Sequence, residues 1–258
     1  MCQNCWNKIV LSQLLEHLED NNLWHVFQSA YRWQHSTETA LLRVFDDLLT
    51  SSDSDHISVL TLLDLSAAFN TIDHDLLLNR LRAVFGIRDT ALVFFGSYLS
   101  GRKQLVSVLG QESEPSSLLY GVPQGSVLSL ILFILYTQPL SDIIERHSVL
   151  HYMFAHHTEL YDSAPRSSTD SLFCNIQNCV SDVKKWTIHN KLQLNEDKTE
   201  ALLFDPSSFS DLPGVLRIGQ CDIPFCYSAH NRGVMFNSGL TMKQQVNRIC
   251  QNLPDCII

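Results

Sequence analysis

The sequence has few basic residues and lacks the composition of a strong, non-specific nucleic-acid binder. Its 258 residues include 18 Lys plus Arg against 27 Asp plus Glu, which gives a formal net charge of −9. A protein that neutralises many phosphates is normally basic, with Lys and Arg gathered in a stripe. The acidic average therefore lowers the expectation of such binding, although one surface of the fold can still be locally basic.

The eight cysteines lack the spacing of a zinc motif. Cys2-Gln3-Asn4-Cys5 is a single C-x₂-C unit, whereas the pairs Cys174/Cys179 and Cys221/Cys226 are each spaced C-x₄-C. Zinc motifs normally combine two C-x₂-C or similar units. We therefore expect free thiols, buried or at the surface.

Long apolar runs are also missing. The run at 127–135 is shorter than the roughly 20 residues that a membrane-spanning helix needs, and the polar start, Met1 to Trp6, does not look like a secretory leader. We expect no membrane partner and an intracellular, reducing compartment, with nucleus and cytoplasm not distinguished. The hydrophobic content of 45 % suffices for one large domain or two small ones.

A run of apolar and branched residues leads to Asp64. Residues 57–63 read Ile-Ser-Val-Leu-Thr-Leu-Leu, a pattern typical of a buried central strand. Taken alone, Asp64 fits two interpretations, an ordinary aspartate that caps a turn or a carboxylate of a functional site.

Two further segments follow Asp64 in a fixed order. Gly121-Val122-Pro123-Gln124-Gly125-Ser126 is the first, and Tyr152-Met153-Phe154-Ala155-His156-His157 is the second. With the Asp64 segment, this order resembles the palm of the reverse transcriptase of non-LTR retrotransposons of the long interspersed class. The family reads Tyr-Ala-Asp-Asp where this chain reads Phe-Ala-His-His. Segments 27–42, 191–200 and 232–237 are also similar to family segments, so the resemblance runs from about residue 8 to residue 250.

The resemblance implies an α+β fold, the fingers and palm of a right-hand polymerase with a central antiparallel sheet packed on helices. It implies that 1–55 lead from the fingers into the palm, that 56–205 form the palm core with fingers elements, and that 206–258 hold primer-grip-like strands and a truncated start of the thumb. From the resemblance, we expect neither the endonuclease that precedes this domain in the family nor most of the thumb.

Periodicity and capping residues predict the individual elements. Helices are predicted at 9–18, after Ser36 or Thr37, at 73–85, 90–99, 126–135 and 170–189, and strands at 57–63, 104–109, 117–120, 149–155, 158–162 and 201–204.

By resemblance, Asp64, His156 and His157 occupy the catalytic positions, where the family has three carboxylates. Those carboxylates hold two Mg²⁺ ions for nucleotidyl transfer. Mg²⁺ prefers oxygen ligands, whereas imidazole suits Zn, Cu or Ni and adds no negative charge. We therefore expect Asp64 to be the remaining metal ligand and Mg²⁺ binding to be weak or absent.

Three explanations of the histidine pair remain open. They are drift in a copy no longer selected for polymerisation, a new metal site, and an error in the sequence. Successive side chains of a regular strand point to opposite faces, which works against both His156 and His157 binding one ion.

The resemblance also implies nucleotide-binding residues. Arg32 and Lys198 would lie near the phosphates of a deoxynucleoside triphosphate, Phe69 would stack under its sugar, and Gln124 with Gly125 would contact the nucleotide or the template. The ordinary alternatives are a core phenylalanine, a loop-to-helix turn and a solvated lysine. The family's partners are an RNA template and a DNA primer, and we expect weak or absent binding of both here.

Three expectations concern other positions. Trp33-Gln34 replace the family's Pro-Gly, which affects the direction in which Arg32 points. His147 and His151 are expected at the surface, and an apolar edge around 234–236 is expected to be exposed.

Two classes of function fit these observations. The first is an RNA-directed DNA polymerase domain, impaired or inactive. The second is a non-catalytic folded remnant that binds nucleic acid or protein.

Overall fold

The computed structural model describes residues 3–30, 32, 35–66, 68–206, 212–218 and 221–252. The helices of these residues are α1 (Gln3–Asp20), α2 (Thr37–Asp53), α3 (His74–Ala83), α4 (Asp89–Leu99), α5 (Val127–Thr137), α6 (Leu140–Glu145), α7 (Thr169–His189) and α8 (Lys243–Asn252). The strands are β1 (His56–Ser66), β2 (Lys103–Gln104), β3 (Ser107–Val108), β4 (Gln111–Glu112), β5 (Ser116–Ser117), β6 (Leu150–Phe154), β7 (His157–Pro165), β8 (Gln193–Leu194), β9 (Glu200–Phe204), β10 (Val215–Ile218), β11 (Cys221–Cys226), β12 (Ser228–Asn231) and β13 (Val234–Asn237).

A seven-stranded sheet organises the fold. Its order is β10-β11-β9-β1-β7-β6, and the short β8 also pairs with β1. The pairs are antiparallel except for β11 beside β9, which is parallel. The sheet and the helices packed on it confirm the α+β expectation. Strands β10 and β11 join the sheet from beyond residue 205, and the division into three segments remains a prediction.

The central position of β1 follows from its sequence. Its apolar residues from Ile57 to Leu63 are mostly buried, as befits a strand with neighbours on both edges and packing on both faces. The predicted strand is confirmed and continues past Asp64 to Ser66, because β7 and β8 pair with its last residues. Asp64 is therefore inside the strand rather than at its end.

Three predicted helix starts are confirmed by their caps, whereas the helix predicted at 9–18 is longer and begins at Gln3. Ser36 accepts a hydrogen bond from the Thr39 amide in a capping box, and the side chains of Asp73 and Ser126 accept bonds from amides in the first turns of α3 and α5. Each cap satisfies an amide that has no partner within its helix.

Helix α5 is apolar on every side and runs through the core, where Leu128 and all residues from Ile131 to Tyr136 are buried. Together with α6, it forms the stretch Val127–Glu145, which is long and apolar enough to cross a membrane. However, 67 % of that window is buried inside the fold, as in the core helix of a globular domain.

The predicted strands at 104–109 and 117–120 are only partly confirmed. Two short hairpins form instead, β2 with β5 and β3 with β4. Leu109 and Gly110 both have positive φ and close β3 onto β4 immediately. Pro115 has no amide to donate, which limits the outer ladder.

Two expectations of exposure are wrong. His151 is 1 % exposed, because the chain at 27–29 covers this edge of the sheet and exchanges backbone hydrogen bonds with Met153. Phe236 is 1 % exposed, because β13 packs on α2 with the Phe236 ring 5.8 Å from that of Phe45. His147 is half-buried and contacts Asp182 at 3.1 Å.

Candidate metal and nucleotide site

Strand register places Asp64 opposite the histidine pair. In the β1–β7 ladder, Asp64 is paired with His157, and Phe154 at the end of β6 is also paired with His157. Residues 155–156 form the turn between β6 and β7, and Ala155 takes the left-handed conformation (φ 54°) that such a tight turn requires. The hairpin tip therefore lies beside the central strand.

Both histidines approach the same carboxylate oxygen. Nε2 of His156 is 3.7 Å and Nδ1 of His157 is 3.6 Å from Oδ1 of Asp64, and the two ring centroids are 4.1 Å apart. The expectation that the rings point to opposite faces is wrong. Strand alternation does not apply to His156, because it lies in the turn rather than in the strand.

Oδ1 of Asp64 is buried, and among the described residues it has no hydrogen-bond partner. Contacts of 3.6–3.7 Å are too long for hydrogen bonds. They come close to the separation of about 3.4 Å that two ligands have around a tetrahedral ion with bonds of about 2.1 Å. Burial and the neighbouring His156 lower the pKa of His157 to about 4, against a raising effect of Asp64, so that its ring is neutral at pH 7.

The donor set does not fit a pair of Mg²⁺ ions. One carboxylate and two imidazoles supply a single negative charge and two nitrogen ligands, whereas Mg²⁺ prefers a shell of oxygens. Lys198 further reduces the negative potential at this site, since its Nζ lies 3.5 Å from Oδ2 of Asp64. The same donors suit a softer transition metal.

Asn195 positions Lys198 next to Asp64. The Asn195 amide donates to the Asp64 carbonyl at 2.8 Å, and the Asn195 side chain accepts from the Lys198 amide at 3.3 Å. The 3-10 turn at Glu196–Lys198 thus starts from the central strand. Sequence reasoning selected Lys198 but missed Asn195, which the family segment Asn-x-x-Lys contains.

Three of the predicted nucleotide-binding residues, Phe69, Gln124 and Lys198, line one cleft. A cavity of about 330 Å³ is lined by Asp64, Leu65, Ser66, Ala68, Phe69, Asn70, Gln124, His156, Asn195 and Lys198. The Phe69 ring packs on Phe133 at 4.7 Å and reaches to 6.5 Å from His156, so it serves the core and the cleft together. Gln124 donates to Oδ1 of Asn70 at 2.7 Å.

Gly121 makes the approach of this loop possible. Its φ is 78°, and a Cβ there would lie 2.8 Å from the carbonyl oxygen of Asn70 and 2.9 Å from that of Phe69. The amides of Gly121 and Val122 donate to the carbonyls of Ile72 and Phe69. Gly125 also has a positive φ, 77°, but open space around it.

Arg32 does not line this cleft. Its guanidinium lies 3.8 Å from Glu19, donates to the His25 carbonyl at 3.4 Å and lies 5.9 Å from the Trp24 ring centre. Its predicted role at the triphosphate therefore remains a prediction. Trp33 and Gln34 lie outside the described residues.

A buried ion pair behind the histidines was missed by sequence reasoning. Nη2 of Arg232 is 2.7 Å from Oε1 of Glu159, and the two side chains are 5 % and 2 % exposed. Both line a second cavity of about 500 Å³ that also contacts Asp64, His157 and Lys198. Arg232 was noticed within the primer-grip segment, but its partner could be found only from the fold, because 73 residues separate the two.

The sequence profile of the family described as "Reverse transcriptase (RNA-dependent DNA polymerase)" matches residues 3–246, almost the whole chain. The chain belongs to the reverse transcriptase family. This confirms the resemblance inferred from the three ordered segments.

Relatives among mobile elements agree with the family. The chain is 25 % identical over 253 residues to the RNA-directed DNA polymerase from mobile element jockey of Drosophila melanogaster, and 23 % identical over 249 residues to that of Drosophila funebris. The two matches include 95 % and 94 % of this chain. The chain spans only about a quarter (26 %) of the length of each relative. It is thus a reverse-transcriptase-like domain related to non-LTR retrotransposon polymerases.

The fold is similar to that of telomerase. The structure of apo telomerase from Candida tropicalis, truncated from its C-terminal domain, matches with a TM-score of 0.58 at 12 % identity. The match covers 92 % of this chain and 44 % of the telomerase chain. At this identity the likeness concerns the fold alone, and it supports the polymerase fingers and palm.

Proposed function

We propose that this domain does not catalyse nucleotidyl transfer with Mg²⁺, although it keeps the palm of a reverse transcriptase. The observation that carries the proposal is the donor set at Asp64. Two imidazoles occupy the hairpin positions, and one carboxylate remains beside a lysine. A two-metal reaction depends on anionic oxygens to hold the cations and to position the nucleophile and leaving group.

The size of the expected defect follows from this chemistry. Each 1.4 kcal/mol lost from transition-state stabilisation slows a reaction about tenfold. Loss of two metal-binding carboxylates removes several such increments. Binding of deoxynucleoside triphosphates is expected to be weak, because a triphosphate binds largely through its metal ions. Binding of an RNA template and a DNA primer is also expected to be weak, because the chain is acidic on average.

Primer extension tests this proposal. The native chain is incubated with an RNA template, an annealed DNA primer, deoxynucleoside triphosphates and either Mg²⁺ or Mn²⁺. We expect incorporation no greater than that of an Asp64→Ala variant whose folding is checked by circular dichroism. Incorporation clearly above that variant would overturn the proposal.

A second candidate function is binding of one transition-metal ion at Asp64. Both histidines converge on one buried oxygen, which favours binding of a single ion. Strand alternation had argued against such binding. Two imidazoles and one carboxylate are a known zinc donor set, with water as the fourth ligand, and the open cleft gives water access.

Calorimetric titration with Zn²⁺ tests the second candidate. We expect Asp64→Ala to lose one bound equivalent, while Asp197→Ala, which removes an exposed carboxylate that lines the neighbouring second cavity, retains it. Equal binding by the native chain and Asp64→Ala would reject a zinc site here.

A further inference from the structure

A second group of metal-ligating side chains lies on the covered edge of the sheet. His25 follows α1, Glu145 ends α6, and His151 belongs to β6. One ligand atom from each lies within 4.8 Å of those of the other two. Nε2 of His25 is 3.1 Å from Oε1 of Glu145, and the His25 and His151 rings are 5.6 Å apart. None of these residues contributes to the cleft at Asp64.

His151 is the unusual member of this group. It is 1 % exposed, and neither ring nitrogen makes a hydrogen bond of normal geometry among the described residues, although the Val149 backbone is close enough to act on its pKa. A buried polar group without a partner costs roughly 1–3 kcal/mol, so native proteins normally supply one. The partners nearest to hand are the ligand atoms of His25 and Glu145, which are already close together.

We propose that His25, Glu145 and His151 bind one transition-metal ion, with Zn²⁺ the best match and a water molecule as the fourth ligand. The ion would give the buried His151 imidazole the partner that it lacks among the described residues. Two nitrogens and one carboxylate oxygen match the borderline character of Zn²⁺ and supply too few oxygens for Mg²⁺ or Ca²⁺.

The protonation of the ligands agrees with this assignment. A metal binds a neutral imidazole. Burial and the neighbouring His25 lower the pKa of His151 to about 4, opposed only in part by the backbone of Val149, so the ring is neutral at pH 7. Binding through Nε2 of His25 places the proton on Nδ1, at the expense of a 3.3 Å contact from the Phe27 amide.

The ion would link three elements, the segment after α1, the end of α6 and β6. The chain at 27–29 runs parallel to β6 for a single bridge, Gln28 to Met153. The Phe27 ring lies 4.9 Å from that of His151 and shields it from one side. Glu145 is 48 % exposed in its side chain, which leaves an access route for the ion and its water. The role that follows is structural, a clamp between the start of the domain and the palm.

Zinc binding is measured in the His156→Ala/His157→Ala variant, which removes the metal candidate of the cleft. In this background, Glu145→Gln is compared with Glu112→Gln, an isosteric change of an exposed glutamate on β4. Loss of an outer-shell partner alone weakens metal binding by about 10–100-fold. Loss of a ligand should therefore weaken Zn²⁺ binding at least about tenfold, and Glu112→Gln should leave it unchanged.

Two further readouts separate this site from binding by cysteines or by surface histidines. Co²⁺ in place of Zn²⁺ should give visible absorption typical of tetrahedral nitrogen and oxygen ligation, without the strong near-ultraviolet band of thiolate. Zn²⁺ should raise the melting temperature of the Glu112→Gln variant and not that of Glu145→Gln. His151→Phe, if folded, should match Glu145→Gln.

The proposal is wrong if the background variant binds no Zn²⁺. It is equally wrong if Glu145→Gln and Glu112→Gln bind Zn²⁺ with the same affinity. Since Glu145 is half-exposed, its replacement is tolerated by the fold and the comparison holds whatever the fate of the buried His151 variant.

Discussion

His156 and His157 reach one oxygen of Asp64 by different routes. His157 is paired with Asp64 in the β1–β7 ladder. His156 reaches the same oxygen because it lies in the β6–β7 turn, where Ala155 has a positive φ. Sequence alone gave the position of all three residues, because the motifs around them are ordered and specific. It could not give the convergence of the rings, since alternation along a strand says nothing about a residue in a turn.

Gly121 offers a test at the scale of one residue. We expect Gly121→Ala to destabilise the fold by about 1–3 kcal/mol more than Gly125→Ala, because its Cβ would collide with backbone atoms of Phe69 and Asn70. Both glycines have nearly the same positive φ, so the strain of that conformation cancels in the comparison. Chemical denaturation measures the difference, and equal destabilisation by the two variants would contradict the close approach of the loops.

At the scale of elements, the β12–β13 hairpin is fastened to β7 through the Arg232–Glu159 pair. The guanidinium also lies 5.1 Å from the centre of the Phe154 ring, at the end of β6. Burial raises the pKa of Glu159 and lowers that of Arg232, and each partner's charge opposes the other's shift. The hairpin therefore supports the strand that carries His157.

A double-mutant cycle measures this link. Removing one member of a buried ion pair typically costs about 3–5 kcal/mol, because the other charge stays buried without its partner. We expect costs of this size for Glu159→Leu and for Arg232→Met, and a cost well below their sum for the double variant. Additive costs in denaturation experiments would show that the two side chains do not interact energetically.

Element prediction succeeded where the signal was local. Capping residues and apolar periodicity predicted α1 to α5 and α7, though not α6 or α8, and the branched run predicted β1, because these patterns act within a few residues. It failed where partners are distant. The exposure expected for His151 and Phe236 was wrong because the chain at 27–29 and α2 cover them, and neither contact leaves a trace in the neighbouring sequence.

At the scale of the whole molecule, the fold and the chemistry of its site separate. The sheet, the core helices and the family match are those of a reverse transcriptase, whereas two imidazoles face the single carboxylate of Asp64 at the hairpin. A fold accommodates many functions, and the site decides which one is carried out. The ordered motifs indicate the family, and the structure shows that both histidines face Asp64.

The most direct test is Mg²⁺ binding by the variant His156→Asp/His157→Asp, measured by calorimetry beside the native chain. Two added carboxylates at positions that already face Asp64 should strengthen Mg²⁺ binding about tenfold or more, because affinity for hard cations grows with the number of anionic oxygen ligands. Adding Asp64→Ala to this variant should remove most of the gain. Equal Mg²⁺ affinity of the native chain and the double variant would contradict the account, since the two histidines would then not be what keeps this palm from holding its metal ions.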